Sequence, residues 1–199
     1  MNTSADIQHR VLYAVRLLGY AGTQDVSERA GLAMDPVEAG LLEAQSLGHI
    51  AWSQFADDGG WSLTEDGKLY GEKLLAAELE RSAARPLVES VMEAFEPLNQ
   101  LVTQVCTRWQ LTEMKIAAVP ASLGDVLAEL ADAAGQWAAL EQRLLQALPR
   151  FGGYHTRFCH AIERARTDPA WVTSLEYDSA HRVWFELHED LLATLGRGR

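Results

Sequence analysis

One stretch of this chain alternates, and almost everything around it carries the period of a helix. His49-Ile50-Ala51-Trp52-Ser53-Gln54-Phe55 sends successive side chains to opposite faces, as a half-buried strand does. Asp57-Asp58-Gly59-Gly60 supplies a turn and Trp61-Ser62-Leu63 a short return strand, so one two-stranded hairpin is predicted. With strand signals confined to that place, the fold is expected to be mainly α, with the hairpin lying between helices.

Three helices precede the hairpin. Asp6 is positioned to cap the first, in which Ile7, Val11, Ala14, Val15 and Leu18 form an apolar stripe ended by Gly19. Thr23 opens a short second helix that Gly31 stops, a position where glycine accepts left-handed backbone. Asp35-Pro36 predicts a cap and a first-turn proline for the third. Its inward face reads Val37, Leu41, Ala44 and Leu47, and Gly48 ends it. After the hairpin, Thr64 is the expected N-cap of a long helix with Glu65 and Asp66 in its first turn, running to about Ala84. Arg85-Pro86 then marks a kink or a boundary, because the residue before a proline resists helical backbone.

Beyond that boundary only helices are predicted. One runs to roughly Trp109, bent near Glu96-Pro97, and Thr112 to Ala121 reads as a connector. Ser122 caps a helix whose Leu123, Val126, Leu127, Leu130, Trp137, Leu140, Leu144 and Leu148 suggest a buried seam. Pro149 and Gly152-Gly153 break it, and Tyr154 to Arg166 forms the next segment. Asp168-Pro169 opens a short turn, and the last helix runs from near Asp178-Ser179 to Gly196. The expected domains are residues 1–85, helices with a hairpin, and residues 86–199, all helical.

The order helix, short helix, turn, helix, hairpin and long helix is that of a winged helix-turn-helix, and Gly31-Leu32-Ala33 has the length of its turn. Leu47-Gly48-His49-Ile50, followed by Trp61-Ser62-Leu63-Thr64-Glu65-Asp66-Gly67-Lys68, resembles the MarR-like winged-helix regulators of bacteria. In that family a glycine-bearing helix end enters the first wing strand, and a Leu-Thr-x-x-Gly-[Lys/Arg] run leaves the second. The resemblance covers about the first 85 residues. It implies a transcriptional regulator in which the third helix enters the major groove of DNA, the wing reaches the adjacent backbone, and flanking helices form a homodimer. The remaining residues are longer than the usual dimerisation helices of the family, and are expected to form a helical domain for dimerisation and effector sensing.

Charge pulls the other way. The chain holds 17 Lys+Arg against 28 Asp+Glu, a net of -11. Residues 1–85 hold seven basic and thirteen acidic side chains, a net of -6. The outward residues of the third helix are Asp35, Glu38, Ala39, Glu43, Gln45 and Ser46, and the wing tip is Asp57-Asp58. Such a surface repels phosphate, whereas DNA binding draws its affinity from releasing counterions. Two readings stay open. In one, Arg29, Lys68 and Lys73 touch the DNA backbone while Gln45 and Ser46 contact bases. In the other, the winged helix serves protein contact through its acidic face and reads no DNA.

In the second half, Arg150, Arg157 and Arg164 recur every seven residues, and arginine forks match carboxylates. His181, Trp184, Phe185 and His188 share one helical face. Arg157, Arg164, His181, Trp184 and His188 are therefore candidates for an effector pocket taking a small molecule or a protein. A solvated face paired with Glu163, Glu176 or Asp178 is the alternative for the arginines. Trp109, Trp137, Trp171 and Trp184 either anchor a core or wall a pocket. His155 and Cys159, four apart, have a spacing that zinc accepts, but neither a cysteine pair nor His-Glu-x-x-His accompanies them. No metal and no cofactor is expected.

No catalytic residue is assigned either. Gly-x-Ser-x-Gly, a phosphate loop and a dinucleotide fingerprint are all missing from the sequence. Cys159 and His160 are adjacent on a helix and point about 100° apart, too divergent for a nucleophile and its base. The only two cysteines, Cys106 and Cys159, show no pairing pattern, which suits a reduced, cytoplasmic chain. The start, Met1-Asn2-Thr3-Ser4-Ala5-Asp6, has no basic segment leading into an apolar one, so no signal peptide is expected. Nor does any stretch approach the ~18 apolar residues of a membrane span, so no membrane partner is expected.

Overall fold

The computed structural model describes residues 4–55 and 58–197. The chain is mainly helical with one small antiparallel sheet, and divides into two compact units, Met1–Glu78 and Leu79–Arg199.

The first unit begins with α1 (Ser4–Leu18), α2 (Thr23–Ala30) and α3 (Met34–Ser46). Val11, Leu12, Ala14 and Val15 of α1 pack with Val26 of α2 and with Val37, Leu41 and Ala44 of α3. Gly40 lets α1 and α3 approach, since a Cβ there would press on Val11 and Ile7. Gly31 and Gly48 close α2 and α3 in left-handed backbone, at φ 61° and 74°. In each case the two amides after the helix return to its last carbonyls: Gly31 and Leu32 donate to Glu28 and Ser27, Gly48 and His49 to Gln45 and Ala44.

Several local expectations are corrected here. Asp6 lies inside the first turn of α1 rather than before it, and Ala33, not Asp35, precedes α3. Pro36 is tolerated two positions deeper than expected because none of the first four amides of a helix has an intrahelical acceptor. Leu47, expected on the inward face, is exposed, because the helix has turned into its cap by that point.

The hairpin pairs β1 (Ile50–Phe55) with β2 (Asp58–Leu63). Asp58, Gly59 and Gly60, expected in the turn, belong to β2, opposite Phe55, Gln54 and Ser53. Their glycines serve packing: a Cβ on Gly59 would overlap the Trp52 ring, and one on Gly60 the Tyr20 ring. Ala56 and Asp57, and with them part of the expected wing tip, lie outside the described residues. Ala21 bridges to Trp61 on the other side of β2, and Trp61 Nε1 donates to Thr23 Oγ1 at 3.1 Å. The hairpin is thereby tied to the α1–α2 junction.

The last element of this unit, α4 (Glu65–Arg81), continues into the second. Thr64 caps it, accepting from the Gly67 amide at 3.0 Å while donating to the Gly48 carbonyl at 2.6 Å. One hydroxyl thus joins the end of α3, the hairpin and the start of α4.

The second unit contains α5 (Arg85–Glu113), α6 (Leu123–Leu145), α7 (Tyr154–Ala165) and α8 (Ala180–Thr194), with short 3-10 turns at Pro149–Phe151 and Pro169–Val172. Arg85-Pro86 opens α5, and Pro97 is carried inside it. Ser122, Asp168 and Ser179 cap their segments as their positions suggest. The core is built on Phe95, Trp137, Phe158 and Trp184. Trp184 stacks on Phe95 at 5.1 Å between centroids, and Trp137 meets both edge-on. Each such side chain contributes about 1.5–3 kcal/mol by leaving water.

Candidate functional site

In the first unit the surface with functional potential is the outer face of α3 with the hairpin that follows. Asp35, Glu38, Ala39, Glu43, Gln45 and Ser46 are all exposed, as their spacing predicts. Ser46 Oγ is turned back onto its own helix, donating to the Glu43 carbonyl at 2.7 Å. Leu42 also lies on this face, 62% exposed, with Met34 and Leu47 partly exposed on the same helix and its cap. Nothing in the sequence singles out Leu42, because a leucine in a helical period is normally assigned inward. The face is therefore acidic and apolar together, with no basic side chain on α3.

The cations expected to hold DNA are carried by α2 and α4 rather than by this helix. Arg29 sits half-buried in the last turn of α2. Lys68 Nζ lies 2.7 Å from Glu65 Oε1, and Lys73 is exposed two turns into α4. Two further arginines serve structure: Arg10 donates to the Ala30 and Gly31 carbonyls, and Arg16 lies 3.6 Å from Glu72. Arg10 thus satisfies carbonyls at the end of α2 with its own positive charge, a favourable placement against the helix dipole. A small recess in the same unit, lined by Leu12, Tyr13, Leu63 and Leu75 among others, holds about 10 Å³, room for a single water.

The second unit concentrates its polar chemistry between α6, α7 and α8. Asp190 is fully buried, yet Arg150 Nη1 donates to one of its oxygens and the Tyr154 hydroxyl to the other at 3.1 Å. Arg150 Nη2 also donates to Thr194 Oγ1 at 2.7 Å, and Thr194 in turn donates to the Asp190 main-chain carbonyl. Arg157 and Arg164 share α7, and Arg150 lies outside that helix. It lies in the 3-10 turn before Gly152-Gly153, and that break redirects it inward.

Arg157 forks onto Asp178, with Nε 2.8 Å from Oδ2, and reaches Glu186 Oε2 at 2.9 Å. Burial works against its charge, but the hydrogen bond to Asp178 and the charges of Glu186 and Asp178 outweigh burial and raise its pKa. Arg157 is thus the cation of a partly buried ion cluster. Arg164 is exposed and lies over the Trp171 ring, 5.1 Å from its centroid. Trp184 is core, its indole donating to Asn99 Oδ1 at 3.1 Å, and His188 packs 5.8 Å from Phe95. His181 is half-buried in the first turn of α8, its Nδ1 buried without an acceptor, and burial lowers its pKa. Four of the five effector candidates thus fall among three sets of neighbours: Arg157 in the Asp178–Glu186 cluster, Arg164 on the Trp171 ring, and Trp184 and His188 at Phe95.

Glu141 is a functional-looking residue that the sequence pattern hid, since it falls within an apolar seam. It is buried, and its Oε1 accepts from the His155 amide at 3.1 Å. Gly153 has no side chain with which to cap α7, so a carboxylate from α6 supplies the acceptor. His155 Nε2 and Cys159 Sγ approach to 3.4 Å. Burial, and then the charge of Glu141, raise the Cys159 pKa, keeping it a thiol and a poor nucleophile near neutrality. Among the described residues no group of three or more His, Cys, Asp or Glu side chains is arranged to hold a metal.

No family model, curated protein or solved structure matches the chain. Its chemistry stands on its own residues. Among those described, no helix is long and apolar enough to cross a membrane.

Proposed function

We propose that the chain is a transcriptional regulator whose first unit is a winged helix-turn-helix that binds DNA, and whose helical second unit serves homodimerisation and effector response. One observation carries this reading: α3 follows α2 through a three-residue turn, buries one face against α1, and leaves the opposite face bare beside a two-stranded hairpin. A bare helix next to a hairpin is the arrangement that places a helix in the major groove and a wing on the backbone. Arg29, Lys68 and Lys73 would supply phosphate contacts, and Gln45 and Ser46 base contacts. Effector binding at the second unit would act by population shift, changing the spacing of two DNA-binding units relative to half-sites about one turn apart. Gel shifts at low salt with DNA from around the coding region of this chain test the proposal.

A second reading is favoured by one specific feature, the mixture of Asp35, Glu38 and Glu43 with exposed Met34 and Leu42 on α3. That face suits a basic, amphipathic protein segment better than phosphate, and in this reading the same fold serves protein contact. The gel shift separates the two, because a protein-contact face yields no sequence-specific complex with DNA.

A further inference from the structure

We infer that the connector between α5 and α6 is a self-association surface, at which a second copy of this chain docks. Helix α5 ends in a capped turn: Lys115 and Ile116 donate to Thr112 and Leu111, the pattern that normally tucks an apolar residue after the helix against one in its last turn. Here that pair faces water. Leu111 is 38% exposed, Ile116 63%, Met114 67% and Val119 85%. The Thr173 hydroxyl donates to Glu113 Oε2 at 3.0 Å, which brings the segment holding Leu175, 77% exposed, to the same end of the bundle. Lys115 occupies the left-handed position at φ 59°, where glycine is favoured. The backbone thus takes an unfavourable residue at the turn that presents Met114 and Ile116 outward.

Size and charge select the occupant. At these exposures the five residues, main chain included, present roughly 600 Å², the upper end for the largest apolar patch of a monomer. Pairing with an identical patch would bury about 1,200 Å², the lower end for a specific and stable interface. The chain carries -11, so two copies repel over most of their surfaces. Glu113 and Glu176 flank this patch, but residues 114–124 contain one lysine and no acidic residue, so a second copy meets less repulsion along the connector than over the chain as a whole. This deepens the dimer part of the proposed function. The test contains no DNA, so its failure and a failure of DNA binding are distinct results.

Sedimentation equilibrium of the full chain between about 1 and 200 µM measures the association. A dimer is expected for the wild type, and a monomer across the range for Ile116→Glu and Val119→Glu. Both sites are exposed, so far-UV circular dichroism should be unchanged. A Val119→Cys chain, oxidised at dimer-populating concentration, should cross-link through the introduced thiols of two copies, which provides a readout independent of any folding defect in the glutamate variants. A monomeric wild type at every concentration overturns the inference. So does a dimer that survives both glutamate variants, or one whose Val119→Cys form shows no such cross-link.

Discussion

The backbone of Gly67 rests against the carbonyl oxygen of His49 so closely that a single methyl group at that position would overlap it. The contact locks the start of α4 onto the turn between α3 and β1, beside the Thr64 hydroxyl that bonds both sides. It gives a physical reason for the glycine in the Leu63-Thr64-Glu65-Asp66-Gly67-Lys68 run. Only a residue without a side chain lets helix and hairpin close, because the obstacle is backbone and cannot rotate away. Gly67→Ala is therefore expected to destabilise the first unit by about 1–3 kcal/mol. Gly71, one turn on in the same helix, has open space where a Cβ would go. Gly71→Ala should stabilise by about 0.5–1 kcal/mol through helix propensity alone. Urea denaturation of the pair measures both, and equal effects would remove the special status of Gly67.

The pairing of Arg150 with fully buried Asp190 predicts a different kind of loss. Arg150→Met takes the counter-charge from the buried Asp190 carboxylate and leaves it neutral hydroxyl donors, those of Tyr154 and Thr194 among them. That should cost about 3–5 kcal/mol, since a buried charge that loses its opposite partner keeps its desolvation penalty. The double change Arg150→Met with Asp190→Leu removes both charges and is expected to recover most of the loss. A double variant no more stable than the single would show that the pair is not what holds α8 to the 150 turn.

Much of this architecture was legible because its signals are local. Gly31 and Gly48 end helices for backbone reasons, Thr64, Ser122 and Ser179 cap them through their own hydroxyls, and the Val126-to-Leu148 seam follows the helical period. What escaped is non-local. Gly59 and Gly60 resemble turn residues until Trp52 and Tyr20 are seen lying across them. Glu141 falls inside an apolar seam because its partner, the His155 amide, comes from another helix. Arg150, Arg157 and Arg164 recur every seven residues as if to line one pocket, but each meets a different partner: Asp190, Asp178 and the Trp171 ring. Leu42 is missing from both the inward and the outward reading of α3, because periodicity alone cannot tell an exposed leucine from a buried one.

The two thiols should differ in reactivity. Cys106 is buried and its pKa is pushed up to about 12, whereas Cys159 is partly exposed. A thiol reagent at pH 8 should modify one cysteine per native chain, Cys159, and both in denaturant. Burial and then Glu141 raise the Cys159 pKa, so its thiolate fraction at pH 8 is below that of a free thiol, and its labelling should quicken as pH rises further. Glu141→Gln keeps an acceptor for the His155 amide but removes the charge. It should lower the Cys159 pKa and speed labelling at fixed pH. An unchanged or slower rate would show that Glu141 does not act on the thiol.

DNA binding through the first unit is tested most directly by fluorescence anisotropy against labelled DNA from around the coding region, titrated between 50 and 200 mM salt. The expected result is a saturable complex, competed by the same unlabelled DNA and not by unrelated sequence. Three candidate cations per copy limit a dimer to about six phosphate contacts, so the log–log salt slope should be no steeper than about -5. Arg29→Ala and Lys68→Ala should each weaken binding, and each lost phosphate contact should flatten the slope by about one. No sequence-specific complex at any salt, from folded protein, would contradict the regulator and leave the acidic face of α3 as a surface for protein.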